Sequence, residues 1–251
     1  MDKFDKHWKT ALQNEKNLHY FMDQLKNPKR STFFFNEYFN DLFASSTKII
    51  DLGGGNGTTT QFFAKKHPHI EFTCADFSSE LLESGETIAK ELNLKNLKFK
   101  KVDWFDLEDM TGYYDGVISL QTLSWLSEFQ KPLKEIFSKI TPNWLGISSL
   151  FYNGDISTKL EVQEHSVDRY SYSNTYSLNQ VGKFCQDNGY FLSTWKDFDI
   201  DIDISKPENL DRMSTYTRKT FQGKGDQGPI KRLQISGPVL MNWKNILIQK
   251  S

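Results

Sequence analysis

Ile49-Ile50-Asp51-Leu52-Gly53-Gly54-Gly55-Asn56-Gly57-Thr58 is the stretch on which the fold turns. It opens as a short apolar run, passes through glycines and leads into a segment of helical composition at 58–66. Glycine permits positive φ and close approach of the backbone to a ligand. Amides at a helix start favour an anionic or polar group. Three details narrow the ligand. A Walker loop ends in Gly-Lys-Ser/Thr, whereas Gly57 is followed by Thr58-Thr59-Thr60. A dinucleotide loop has the spacing G-x-G-x-x-G, whereas Gly53, Gly55 and Gly57 lie two apart. Asp51 ends the strand, and a carboxylate that would repel a pyrophosphate attracts an amino-acid ammonium.

Around this loop, short apolar runs alternate with helical segments. Strands are expected at 48–52, 70–75, 97–102, 114–120, 144–151, from 190 onward and at 243–249. Helices are expected at 58–66, 80–92, through 133–140, and at 178–188. The alternation predicts an α/β fold, a doubly wound, mostly parallel seven-stranded sheet with helices on both faces. Residues 1–45 read as an N-terminal helical lid, with a break at Asn27-Pro28, and 46–251 as the main domain. Two insertions interrupt the pattern. Residues 153–177 are polar and aromatic. Residues 205–238 hold two alternating runs, 213–220 and 231–235, around a Gly/Pro-rich turn, a β-hairpin added to the sheet's edge or folded over its mouth.

The loop resembles the first motif of the class I S-adenosylmethionine-dependent methyltransferases, an acid followed by x-G-x-G-x-G. Asp51-Leu52-Gly53-Gly54-Gly55-Asn56-Gly57 matches it at every defined position. The resemblance covers residues 46–150 and implies S-adenosylmethionine as cofactor and S-adenosylhomocysteine as product. It implies that Gly53, Gly55 and Gly57 cradle the methionine moiety and that Asp51 reaches its amino group. Asp76 would accept the ribose hydroxyls, with Phe77 against the adenine. Asp103 and Trp104 would lie at the adenine edge and face. Ser119, Leu120 or Gln121, at the end of the fourth strand, would lie near the sulfonium, and Gln121 also faces the acceptor.

The acceptor must then be read from the loops. A sulfonium methyl is already electrophilic, so the protein's task is to position the acceptor and, for a hydroxyl, to remove its proton. His165, in the polar insertion, is the candidate general base, with Asp168 or Glu164 orienting it. Arg169, Tyr170 and Tyr216 are candidate acceptor-binding residues, Arg169 by a bidentate contact. His7 and His19 fall in the N-terminal helices. His67 and His69, flanking Pro68, read as surface residues at the sheet end away from ligands. No metal-ligand spacing is present, and Cys74 and Cys185 read as buried free thiols.

Composition excludes other classes. The 251 residues carry a net charge of −1, without the basic excess of a nucleic-acid binder. Neither cysteine lies near the fourth strand, where cytosine C5 chemistry needs one, and Ser119-Leu120-Gln121-Thr122 stands where amine methylases of nucleic acid carry Asn/Asp-Pro-Pro-aromatic. No apolar run approaches the roughly 20 residues of a membrane span, and the charged N-terminus lacks a signal-peptide core, so the cytoplasm is the expected compartment. A small polar acceptor is the expected partner. The chain also looks like methyltransferases of bacterial surface-polysaccharide clusters, which implies O-methylation of a sugar or phosphorylated sugar. Small-molecule N-methylation and a catalytically inactive cofactor-binding partner subunit are the alternatives, with an NAD-dependent dehydrogenase behind them.

Overall fold

The computed structural model describes residues 24, 27–110, 112–165, 169–208, 214–221 and 228–251, the side chains of Glu164 and Arg169 excepted. Two short helices, α1 (Arg30–Tyr38) and α2 (Asn40–Ser45), lead into β1 (Lys48–Leu52). Then come α3 (Thr58–Lys66), β2 (Glu71–Asp76), α4 (Ser79–Glu91), β3 (Leu97–Lys101) and β4 (Gly116–Leu120). A short turn at Leu123–Trp125 precedes α5 (Gln130–Glu135), which widens into a π turn at Ile136–Ile140. The rest runs β5 (Trp144–Tyr152), β6 (Glu161–Glu164), β7 (Arg169–Tyr172), β8 (Tyr176–Ser177), α6 (Leu178–Asp187), β9 (Tyr190–Asp197), β10 (Thr215–Phe221), β11 (Ile230–Ser236), β12 (Val239–Leu240) and β13 (Trp243–Lys250).

Seven strands form the main sheet in the order β3-β2-β1-β4-β5-β13-β9, with β8 attached to β5. β1 to β5 pair in parallel, whereas β13 runs antiparallel between β5 and β9. Strand order therefore reverses beside β1, and at such a switch point the carboxyl ends of the strands open a crevice for ligands. The expected sheet and the helices that alternate with it are all present. Local chemistry sets the helix starts. Ser78 and Ser177 accept hydrogen bonds from the amides of Leu81 (3.3 Å) and Gln180 (3.1 Å), each capping an N-terminus.

Side-chain alternation along the strands divides the core between the two faces. Ile49 and Ile118 pack with Phe35, Phe39, Phe43, Phe63 and Trp144 under α1–α3. Ile50 and Val117 pack with Leu133, Ile136, Leu145, Leu178 and Val181 under α5 and α6. Thus residues 30–45 of the N-terminal segment form a helical layer packed on the sheet. Both cysteines are buried free thiols.

Three expectations change. His67 is buried, not a surface residue: its ring stacks on Phe43 at 4.8 Å, and its Nε2 lies 2.7 Å from Asn36 Oδ1. The strand-helix pattern gave no sign that α1 and α2 would fold back over this end of the sheet. His69 is exposed, as expected. The insertion at 153–177 contains a hairpin, β6–β7, whose strands its polar composition concealed. Of the two placements open to the second hairpin, the edge is not taken. β10, β11 and β12 make a separate three-stranded sheet, and Val239 packs with Leu150 and Trp243 at the rim of β5 and β13.

Candidate cofactor and acceptor site

The glycine loop is held by its own neighbours. The amides of Gly53 and Gly54 donate to Ala75 O at 2.8 and 3.1 Å, binding the loop to the end of β2. Thr122 Oγ1 donates to Gly53 O at 3.0 Å, and a Cβ on Gly53 would fall 2.4 Å from the Thr122 methyl. A Cβ on Gly54 would strike Cys74 Sγ at 2.6 Å, and one on Gly57 would strike the Phe99 ring at 2.7 Å. Gly55 differs. Its φ is +60°, yet the nearest atom to a Cβ there is Leu81 Cδ1 at 4.0 Å. Protein packing therefore explains the absence of a side chain at three positions of the loop, and at Gly55 it leaves room for a ligand.

Two carboxylates flank this opening. Asp51 is 2% exposed and accepts a 2.6 Å hydrogen bond from Thr60 Oγ1. Burial pushes its pKa up to about 7, against the Thr60 hydrogen bond, with a smaller upward contribution from the Asp76 charge. Asp76 is also buried. Its Oδ2 accepts from the Gly55 amide at 2.8 Å and its Oδ1 from the Ser78 amide at 3.0 Å. Desolvation raises its pKa as well, and those amides oppose the rise. A buried acid holding little beyond a hydroxyl gains from a cation, and Asp76 retains lone pairs for hydroxyl donors. The cradle and its donor set fit the amino-acid and ribose parts of S-adenosylmethionine.

The remaining cofactor candidates surround this cluster in different ways. Phe77 is half-buried beside Asp76. Asp103 is exposed and accepts from the Phe105 amide at 2.8 Å, closing its own turn. Trp104 is buried, and its indole N–H has no partner among the described residues. Ser119 is fully buried and donates to Leu52 O at 2.8 Å, tying the tips of β1 and β4 together. Leu120, next along, is half-buried on the α1 side.

Gln121 leaves the sheet in the left-handed region, φ +63°, uncommon for a residue with a side chain. Its amide donates to Ser148 O at 2.7 Å, and its Oε1 accepts from Lys29 Nζ at 3.4 Å. The acceptor candidates farther along the chain lie on the two small sheets. His165 is exposed in the turn between β6 and β7. Tyr170 is half-buried on β7 opposite Gln163, and Tyr216 is half-buried on β10 opposite Ile235. Asp168, His7 and His19, and the side chains of Arg169 and Glu164, lie outside the described residues. The β6–β7 insertion is fastened to the loop after β4. The Asn174 amide donates to Ser124 O at 2.8 Å, and Asn174 Nδ2 and Tyr176 OH reach Leu126 O at 2.7 and 3.0 Å.

Sequence reasoning passed over Thr60, Thr122 and Lys29. Thr60 stands nine residues beyond Asp51, and Thr122 two beyond Leu120, so only the folded loop joins them to the site. Among the described residues no group of three or more His, Cys, Asp or Glu could hold a metal, and no helix is long and apolar enough to cross a membrane.

A family model described as a methyltransferase domain matches residues 43–196. Malonyl-[acyl-carrier protein] O-methyltransferase from Priestia megaterium is 26% identical over 162 residues, 60% of this chain and 56% of that protein. The chain spans about half the length of such curated relatives. An O-methyltransferase family protein from Burkholderia thailandensis superposes with a TM-score of 0.58 at 14% identity, over 92% of this chain and 58% of that one. The O-methyltransferase of a trans-AT polyketide synthase multienzyme of Brevibacillus brevis, in complex with S-adenosylhomocysteine, gives 0.51 at 15% identity, over 66% and 54%. At these identities the structural likeness is one of fold.

Proposed function

Because the chain belongs to the methyltransferase domain family, we propose that it is a class I S-adenosylmethionine-dependent methyltransferase that methylates a hydroxyl oxygen of a small polar acceptor, a sugar or phosphorylated sugar, in the cytoplasm. The observation that carries this reading is the make-up of the acceptor rim. Half-buried Tyr152, Tyr170 and Tyr172 lie on β5 and β7, and the loop they adjoin bears the partly exposed Trp125 and Gln121. Flat aromatic faces interleaved with amides and hydroxyls suit a ring that has both C–H faces and hydroxyl edges.

When bound, S-adenosylmethionine supplies an electrophilic methyl group. The chain's own residues do the rest. Asp51 would pair with the ammonium, Asp76 would accept from the ribose hydroxyls, and Phe77, Trp104 and Asp103 would hold the adenine. Ser119 and Leu120 would support the reacting end, and Gln121 would stand between donor and acceptor. His165 takes the acceptor proton. It stands in the turn between β6 and β7, exposed to solvent.

Calorimetry with S-adenosylhomocysteine, followed by methyl-transfer assays on hexoses and hexose phosphates, tests the reading. Micromolar cofactor binding with methyl ether formation is expected. Binding without transfer to any sugar counts against it and in favour of the inactive partner subunit. His165→Ala should abolish turnover and spare cofactor affinity, and undiminished turnover removes His165 from the mechanism.

A second reading is methyl esterification of an acyl carboxylate, the acceptor named for the Priestia megaterium relative. A carboxylate needs no base, so that activity would survive His165→Ala. Malonyl thioesters belong in the same panel.

A further inference from the structure

Four residues from four strands stand in register across the rim of the main sheet. Leu120 of β4 pairs with Ser148 of β5, Ser148 with Asn245 of β13, and Asn245 with Lys196 of β9. All four face α1. Gly146, two residues before Ser148, meets the rings of Phe39 and Phe35, and alternation returns Ser148 to that side. Leu247, two beyond Asn245, packs with the α1 cluster. Lys196 Nζ lies 5.2 Å from the centre of the Phe34 ring.

The row is unusual for a sheet face in contact with a helix. Ser148 and Asn245 are 2% and 1% exposed, at positions that apolar side chains fill elsewhere on this face. Asn245 Nδ2 is buried and has no hydrogen-bond partner among the described residues. Buried amide donors are nearly always satisfied, so an orphan one on a sheet face is a place where a ligand acceptor would be held. Cations stand at both ends. Lys29 Nζ reaches Gln121 Oε1 at the β4 end, and Lys196 closes the β9 end. Arg30, next to Lys29 at the start of α1, pairs with Asp201.

We propose that Ser148, Asn245 and Lys196 form an oxyanion subsite that selects acceptors bearing a phosphate or a carboxylate. The Asn245 amide and the Ser148 hydroxyl donate hydrogen bonds to the oxyanion, and Lys196 supplies its counter-charge. Leu120 and Gln121 mark where the methylated oxygen lies. Two inter-strand steps separate Leu120 from Asn245, about 10 Å, the reach of one sugar ring carrying an anionic group. The inference rests on the small-polar-acceptor reading and deepens it: a neutral sugar leaves the orphan amide and Lys196 unused.

The test titrates inorganic phosphate, a hexose phosphate, a hexuronic acid and the parent hexose into the full chain saturated with S-adenosylhomocysteine. Lys196→Gln and Asn245→Asp are titrated alongside. Lys196 is exposed, so its variant folds whatever the fate of Asn245→Asp. At least one anionic sugar is expected to bind tenfold or more tightly than the hexose, and both variants to lose tenfold for anions and nothing for the hexose. A preference for the hexose phosphate over the uronic acid identifies a phosphate, and the reverse a carboxylate. Equal affinity for charged and neutral sugars, anion affinities unmoved in Lys196→Gln, or no anion binding at all overturns the subsite. The two readings fail separately. Hexoses methylated regardless of charge sink the subsite and leave the sugar reading standing. Phosphate binding that depends on Lys196, with no sugar methylated, leaves the subsite standing and sinks the sugar reading.

Discussion

The two halves of the crevice are built on opposite plans. Around β1 and β2 the carboxylates and amides of the loop are held by one another, although Gln61 Oε1 and the Trp104 indole N–H have no partner among the described residues. Asp51 holds Thr60, Asp76 holds the Gly55 and Ser78 amides, and Thr122 fastens Gly53. Around β5 and β13 an amide and a hydroxyl are buried beneath α1, and the amide has no partner. The difference teaches where each half spends its specificity. In the donor half the loop is cross-braced by its own side chains and amides. The β5–β13 half carries a buried amide without a partner among the described residues, which the proposed anionic ligand would complete.

The comparison breaks first if the cradle tolerates added bulk. Gly85 of α4 lies against the loop, and a Cβ there would sit 2.1 Å from Asn56 O. Glycine to alanine inside a helix ordinarily adds up to about 1 kcal/mol of stability. Here the clash is with backbone, so Gly85→Ala should destabilise by about 3 kcal/mol, read from denaturant unfolding. A stabilised variant would show that the loop is not rigid.

Next in size is Asp76→Ala, which removes the proposed acceptor for the ribose hydroxyls and frees the Gly55 amide. Affinity for S-adenosylhomocysteine should fall on the order of 100-fold, near 2.7 kcal/mol. A loss under threefold by calorimetry would take Asp76 out of the cofactor site.

A smaller effect follows from the acid held at about 7. The unfolded chain ionises Asp51 near its ordinary value of 3.8, while the folded apo protein keeps it protonated. The apo fold thus loses stability as pH rises from about 4 to about 7, and above that the penalty is constant. A ligand ammonium favours the carboxylate, so cofactor affinity should rise roughly fivefold between pH 6 and pH 7. Asp51→Asn should flatten this dependence, and an equally steep profile in that variant would assign it to another group.

In the acceptor half the sign reverses. Asn245→Leu replaces an orphan amide by an apolar side chain of similar size. It should stabilise the apo fold by about 0.5–1 kcal/mol while weakening acceptor binding. A large destabilisation would mean that the amide is satisfied within the chain. Smallest of all is Arg30→Ala. It breaks an exposed ion pair with Asp201, and the free energy of unfolding from denaturant titration should fall by less than about 0.5 kcal/mol.

The same division governs what could be read from sequence. The donor half is encoded locally. Asp51 and its glycines are contiguous, and Asp76 and Ser119 sit at strand ends that hydrophobic runs announce. Ser148, Asn245 and Lys196 are spread over nearly a hundred residues, and only the register of three non-consecutive strands makes them neighbours. His67 was misplaced for a related reason: its cover comes from α1 and α2, which pack back over the sheet from upstream. The tyrosine-rich insertion concealed β6 and β7 because their polar faces give no hydrophobic alternation.

One topological detail has a consequence in time. β13 follows β9 in the chain yet lies between β5 and β9 in the sheet. During synthesis, β1 to β5 can assemble in order as they emerge, and the glycine cradle with them. The Ser148–Asn245–Lys196 row cannot exist until residue 245 has left the ribosome and its strand has inserted. A nascent chain lacking β13 would be able to hold the methyl donor before it had any means of choosing what to methylate.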